Sequence, residues 1–131
     1  MGPPSEKPIS QKLQIRPGNK LVLINAPTGY KEKIMRELPK DASIAGSTTG
    51  LGDVIQVFVK SRKDLETNLA RVKSKLKPGG IIWVTYPKGT STMKADVNRD
   101  VIREYAPRVG LEAVAIFSVD SEWSALRLKT A

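Results

Sequence analysis

Leu76-Lys77-Pro78-Gly79-Gly80-Ile81-Ile82-Trp83-Val84 decides the fold of this 131-residue chain. Upstream of it, Leu65, Leu69, Val72 and Leu76 recur at spacings of four, three and four, which is one apolar face of an α-helix. Ser61-Arg62-Lys63-Asp64 opens that helix as a capping box: the hydroxyl caps a backbone N–H and the carboxylate caps back. Lys77-Pro78-Gly79-Gly80 reads as its stop. Ile81 to Tyr86 then runs apolar without alternation, as does Asp53 to Val59 before the helix. Such runs mark strands buried on both faces. A strand, a helix and a second strand in succession mark a parallel pair.

The same reading extends outward. Arg16-Pro17-Gly18-Asn19 is a turn, and Lys20 to Ala26 is another buried strand. Pro27-Thr28-Gly29 breaks it, and Tyr30 to Leu38 reads as a helix with Ile34, Met35 and Leu38 on one face. Ala42 to Gly46 is a short strand, and Ser47 to Gly52 is a loop by composition. Pro87 to Lys94 is a second loop. Asp96 to Tyr105 reads as a helix burying Val97, Val101, Ile102 and Tyr105. Glu112 to Val119 and Ser124 to Lys129 are strands joined at hairpin length. The sum is a single α/β, Rossmann-like, three-layer domain over residues 12–131. Its six-stranded sheet is mainly parallel and closes with an antiparallel hairpin. Residues 1–11, proline-rich and polar, read as a disordered leader.

Composition excludes whole classes of chemistry. With no Cys and no His, thiol catalysis, histidine triads and Cys/His zinc sites are ruled out. No metal site is expected. Lys and Arg number 22 against 13 Asp and Glu, a formal net charge of +9, and the excess is densest from Arg62 to Lys77. The longest apolar runs, Leu21 to Ile24 and Ile81 to Val84, fall far short of the roughly 20 residues of a spanning helix. The opening residues lack a signal peptide's apolar stretch. The expectation is a cytoplasmic protein with no membrane partner.

The stretch from Asp53 to Lys88 resembles the middle of a class I S-adenosylmethionine-dependent methyltransferase. Its marks are a strand opening with Asp, a helix ending in Leu-Lys-Pro-Gly-Gly, and a strand. The C-terminal helix and hairpin are similar to the last elements of that fold, so the resemblance covers about residues 18–130. It implies a sheet order of 2-1-3-4-6-5, with the last strand inserted antiparallel. The chain is also similar to a family of small bacterial proteins of unknown function. That likeness rests on Pro17-Gly18, on Trp83 to Lys88 and on Glu122-Trp123-Ser124 with Leu126; it carries no activity across. Where the methyltransferase cofactor loop is glycine-rich, this chain has Asn25-Ala26-Pro27-Thr28-Gly29-Tyr30. Where a ribose-binding acid stands, it has Ala45-Gly46-Ser47-Thr48. Pro27 removes a backbone donor and Tyr30 adds bulk, so S-adenosylmethionine is not expected as a cofactor.

In open α/β sheets ligands lie beyond the carboxyl ends of the strands. The candidate ligand-binding residues there are Thr28, Gly29 and Tyr30 after the first strand, Ser47 and Thr48 after the second, and Lys60 after the third. Tyr86, Lys88, Thr90 and Ser91 follow the fourth. Lys88 is the expected cation, with Thr90 and Ser91 adding hydroxyls. The reading is a non-catalytic or regulatory module binding a small anionic ligand or a protein partner. One alternative is a minimal small-molecule transferase using Lys88, Tyr86 and a loop hydroxyl. Another is a nucleic-acid binder through Lys63, Arg71, Lys73, Lys75 and Lys77, although no aromatic side chains interleave with them. Trp83 and Trp123 read as packing residues. No feature of the sequence sets an oligomeric state.

Overall fold

The structure is a computed structural model that describes residues 9–45, 51–89 and 95–130. Helix α1 spans Ile9–Lys12, β1 Lys20–Ile24, α2 Tyr30–Met35, β2 Ser43–Ala45 and β3 Gly52–Phe58. Then come α3 at Arg62–Lys73, β4 at Leu76–Pro87, α4 at Arg99–Tyr105, a 3-10 turn at Ala106–Val109, β5 at Leu111–Ser118 and β6 at Trp123–Thr130. The strands form one sheet in the order β2-β1-β3-β4-β6-β5. The pairs among β2, β1, β3 and β4 are parallel, and β6 inserts antiparallel between β4 and β5. This is the expected order.

Alternation along β3 and β4 splits the core into two layers. Ile55, Val57, Ile82 and Val84 pack with Leu65, Leu69 and Val72 of α3 and Ile102 of α4. On the other face, Val54, Phe58 and Trp83 pack with Ile9 and Leu13 of the N-terminal segment and Tyr30 and Ile34 of α2. Burial of strand residues to both sides is why these runs read as continuous apolar stretches.

Ser61 caps α3 as expected, its hydroxyl accepting from the Asp64 N–H at 3.0 Å. The returning arm is displaced by one residue: the Asp64 carboxylate accepts from the Lys60 N–H at 3.1 Å. Ser61→Ala is therefore expected to lower stability by about 1 kcal/mol, measurable as a lower urea midpoint with an unchanged slope.

Several boundaries are corrected. α3 ends at Lys73, and Leu76 belongs to β4, paired with Gly52. The next pair is Val54 with Ile81, so Lys77 to Gly80 form a bulge inside the strand. Gly79 takes φ +77° there, and a Cβ on Gly80 would stand 2.9 Å from the Asp53 carbonyl oxygen. The glycines thus serve the bulge, where the sequence reads a helix stop. α2 ends at Met35, whose side chain is exposed while Ile34 is buried. α4 starts at Arg99 under an Asn98 cap, with Val97 buried just ahead of it. Of the leader expected over residues 1–11, residues 1–8 lie outside the described residues. Ile9–Lys12 is helical with Ile9 and Ser10 buried, so ordered structure begins ahead of residue 12.

Candidate functional site at the carboxyl edge

β2 lies on one side of β1 and β3 on the other, so the direction of winding reverses between β1 and β3. Such a switch point leaves a crevice at the strands' carboxyl ends. A cleft of about 480 Å³ occupies it. Asn25 to Thr28, leaving β1, form one wall. Phe58, Lys60 and Asp64, from the end of β3 and the start of α3, form another, and Trp123 of β6 closes the side. Phe58 and Trp123 meet edge to face at 5.1 Å, giving the cleft a rigid apolar wall. Asp64 is committed to capping through the Lys60 N–H, so the Lys60 ammonium is the cation this wall presents.

The predicted residues separate into two places. Thr28 and Lys60 line the switch-point cleft. Tyr86 and Lys88 line a second notch of about 320 Å³ with Gly89, Asp96, Val97 and Asn98. The Lys88 ammonium donates to the Ser118 hydroxyl at 2.5 Å, and the Lys88 N–H donates to the Glu122 carbonyl at 2.8 Å. The cation expected to be aimed at a ligand is thus tied to the β5–β6 turn. Tyr86 is buried, and that burial raises its phenol above the ordinary value, partly offset by Arg99 and Arg103. Ser47, Thr48, Thr90 and Ser91 lie outside the described residues.

Gly29 and Tyr30 are turned to structural work. Gly29 sits at φ +86°, a left-handed position that favours glycine, at the start of α2. The Tyr30 N–H is taken by the Pro27 carbonyl at 3.1 Å. The Tyr30 ring is buried, and its hydroxyl donates to Gln56 Oε1 at 2.7 Å. Gln56 in turn donates through Nε2 to Thr85 Oγ1 at 3.0 Å. Burial raises the Tyr30 phenol well above 10. Tyr30 thereby anchors α2 on the sheet. Sequence reading missed Asn25, Phe58, Asp64 and Trp123 as cleft residues. Asn25 directly follows β1 with φ 59°, and that position is the signal that marks it.

Among the described residues, no three acidic side chains gather where a metal ion would sit. No curated protein matches the sequence significantly. Solved structures match its fold. Aeropyrum pernix fibrillarin, in complex with natively bound S-adenosyl-L-methionine, gives a TM-score of 0.65 at 11% identity; the match covers 95% of this chain and 70% of that one. A TehB-like SAM-dependent methyltransferase from Corynebacterium glutamicum gives 0.57 at 17% identity, over 92% and 85% of the two chains. A ribosomal protein L11 methylase from Lactobacillus delbrueckii subsp. bulgaricus gives 0.58 at 10% identity, over 93% and 74%. These likenesses show a methyltransferase-like, Rossmann-type fold, as the sequence resemblance implied. Residues 28–131 match the DUF3052 family, described as a protein of unknown function, and the chain belongs to that family.

Proposed function

We propose that this protein is a Rossmann-like binding module that takes a small anionic ligand in the cleft between the carboxyl ends of β1 and β3. The observation that carries the reading is the pairing of one cation, Lys60, with the apolar wall of Phe58 and Trp123 at the topological switch point. A ligand with an anionic group and a flat apolar part fits that division. Thermal shift against a panel of nucleotides tests it. At least one nucleotide is expected to raise the melting temperature, and Lys60→Ala is expected to remove most of that rise. A panel that produces no rise, or a rise that Lys60→Ala keeps whole, overturns the reading.

The fold favours a second reading, a minimal S-adenosylmethionine-dependent transferase, since the neighbours include methyltransferases. The loop after β1 fits that cofactor poorly. Pro27 has no N–H, and the Tyr30 N–H is already bonded to Pro27. A Cβ on Gly29 would meet nothing within 4 Å, so no close backbone cradle needs a glycine there. The residues that follow β2, Gly46 to Gly50, include no acid for a ribose. Calorimetry with S-adenosylmethionine is therefore expected to show no micromolar binding. A micromolar dissociation constant would move the protein to the transferase reading.

Nucleic-acid binding has less support. Lys77 is paired with Asp53 at 3.3 Å, and Arg62 with Glu66 at 3.3 Å, so part of the basic face of α3 and its surroundings is engaged internally. Among the described residues no helix is long and apolar enough to cross a membrane.

A further inference from the structure

A third, polar cavity, of about 250 Å³, lies at the opposite end of the sheet, by the amino ends of β3 and the apolar part of β4. Its polar lining comes from Gln14, Arg16, Asn19, Asp53 and Arg127, with the backbone of Gly79. Arg127 is the unusual member. It sits on β6 directly opposite Trp83, on the face that carries the N-terminal segment. Its Nε is buried and, among the described residues, meets no hydrogen-bond partner. A guanidinium N–H removed from water without an acceptor is costly, and natural folds seldom tolerate it unless something supplies the acceptor.

Among the described residues, no hydrogen bond from the lining reaches this Nε. Among the described residues, the one carboxylate of the lining is Asp53, and its Oδ2 already accepts from the Lys20 N–H at 2.8 Å and from the Lys77 ammonium at 3.3 Å. Asn19 Oδ1 accepts from the Arg16 N–H at 2.9 Å, which leaves the Asn19 amide group as a donor. Two guanidiniums and an amide donor thus line one cavity beside a single carboxylate that is already engaged through Oδ2. The segment that brings Gln14 and Arg16 over it is pinned, since Trp83 Nε1 donates to the Leu13 carbonyl at 3.0 Å. A guanidinium matches two oxygens of a carboxylate or phosphate with parallel N–H bonds.

We propose that this cavity is an oxyanion-binding site, separate from the carboxyl-edge cleft, in which Arg127 anchors the carboxylate or phosphate group of a small ligand and Arg16 closes over it. Inorganic phosphate and succinate are the probes, each titrated at constant ionic strength while the arginine Nε–H resonances are followed by NMR. A saturable shift of the Arg127 resonance with one or both anions is expected, and the more effective probe names the ligand's group. Arg127→Met keeps most of the side-chain volume and removes the donors. It is expected to fold, to hold its melting temperature in chloride, and to lose the anion-dependent rise in melting temperature. Lys60→Ala is expected to keep that rise and the Arg127 shift, which separates this site from the carboxyl-edge cleft. An Arg127 resonance that neither anion moves, or a rise that survives in Arg127→Met, overturns the proposal.

Discussion

Trp83→Ala is expected to lower the free energy of unfolding by about 3–5 kcal/mol, the cost of removing a fully buried large aromatic. The side chain is 2% exposed and meets Phe117 edge to face at 4.8 Å. Its Nε1–H bond to the Leu13 carbonyl spans 70 residues of sequence and fastens the N-terminal segment to the sheet. Truncation leaves a cavity and orphans that carbonyl. A domain of this size has about 5–15 kcal/mol in total, so the variant should be marginal. Urea denaturation measures the loss. Trp83→Phe, which keeps a ring but not the donor, should cost less, about 1–2 kcal/mol. If Trp83→Ala cost under 1 kcal/mol, the N-terminal segment would not be part of the core.

The parallel strands β1, β3 and β4 were open to sequence reading because each is a largely continuous apolar run, whereas their order in the sheet followed from the resemblance to the methyltransferase fold. Val54 to Phe58 and Ile81 to Tyr86 have no polar interruption except Gln56 and Thr85. The errors came from short signals that serve two purposes. Leu76 continues the helical spacing of Leu65, Leu69 and Val72, yet it pairs with Gly52 in a strand. Pro78-Gly79-Gly80 reads equally as a stop or a bulge, and only the partner strand decides. The helix at Ile9 was hidden by its proline-rich flank, although Ile9 and Leu13 stand four apart, one helical turn, and both are buried.

The site was less legible for a related reason. Sequence reading placed ligands at the carboxyl edge, and the switch-point cleft lies there with Thr28 and Lys60 in its lining. It did not show that Lys88 would turn to Ser118, thirty residues on, or that Trp123 would close the cleft from an antiparallel strand. Nor did it show the amino-edge cavity. Arg127 drew no notice on its strand, and the cavity around it is lined by Gln14 and Arg16, more than a hundred residues earlier. Contacts between distant segments carry the site, whereas local periodicity carries the fold.

Gln56→Leu is expected to cost about 2–6 kcal/mol, although it adds apolar volume to a buried strand. Gln56 and Thr85 are 0% exposed and Tyr30 is 7% exposed. The amide accepts from the Tyr30 hydroxyl and donates to Thr85, so Leu leaves two buried hydroxyls without those bonds, at about 1–3 kcal/mol each. The same network predicts an alkaline weakness. Burial raises the folded-state pKa of Tyr30 above the ordinary 10. A raised folded pKa contributes stability that is fully present below the unfolded value and is lost as pH climbs from 10 towards the folded one. The loss should approach about 1.4 kcal/mol per pH unit in that window. Tyr30→Phe removes the titrating group, at about 1–2 kcal/mol near neutral pH, because Gln56 loses its donor. Urea midpoints taken near neutral pH and about one unit above pH 10 should therefore converge for the two proteins. Other groups titrate in both, so the difference isolates Tyr30. Parallel pH profiles would mean that the phenol ionises freely and that α2 is not held by this network.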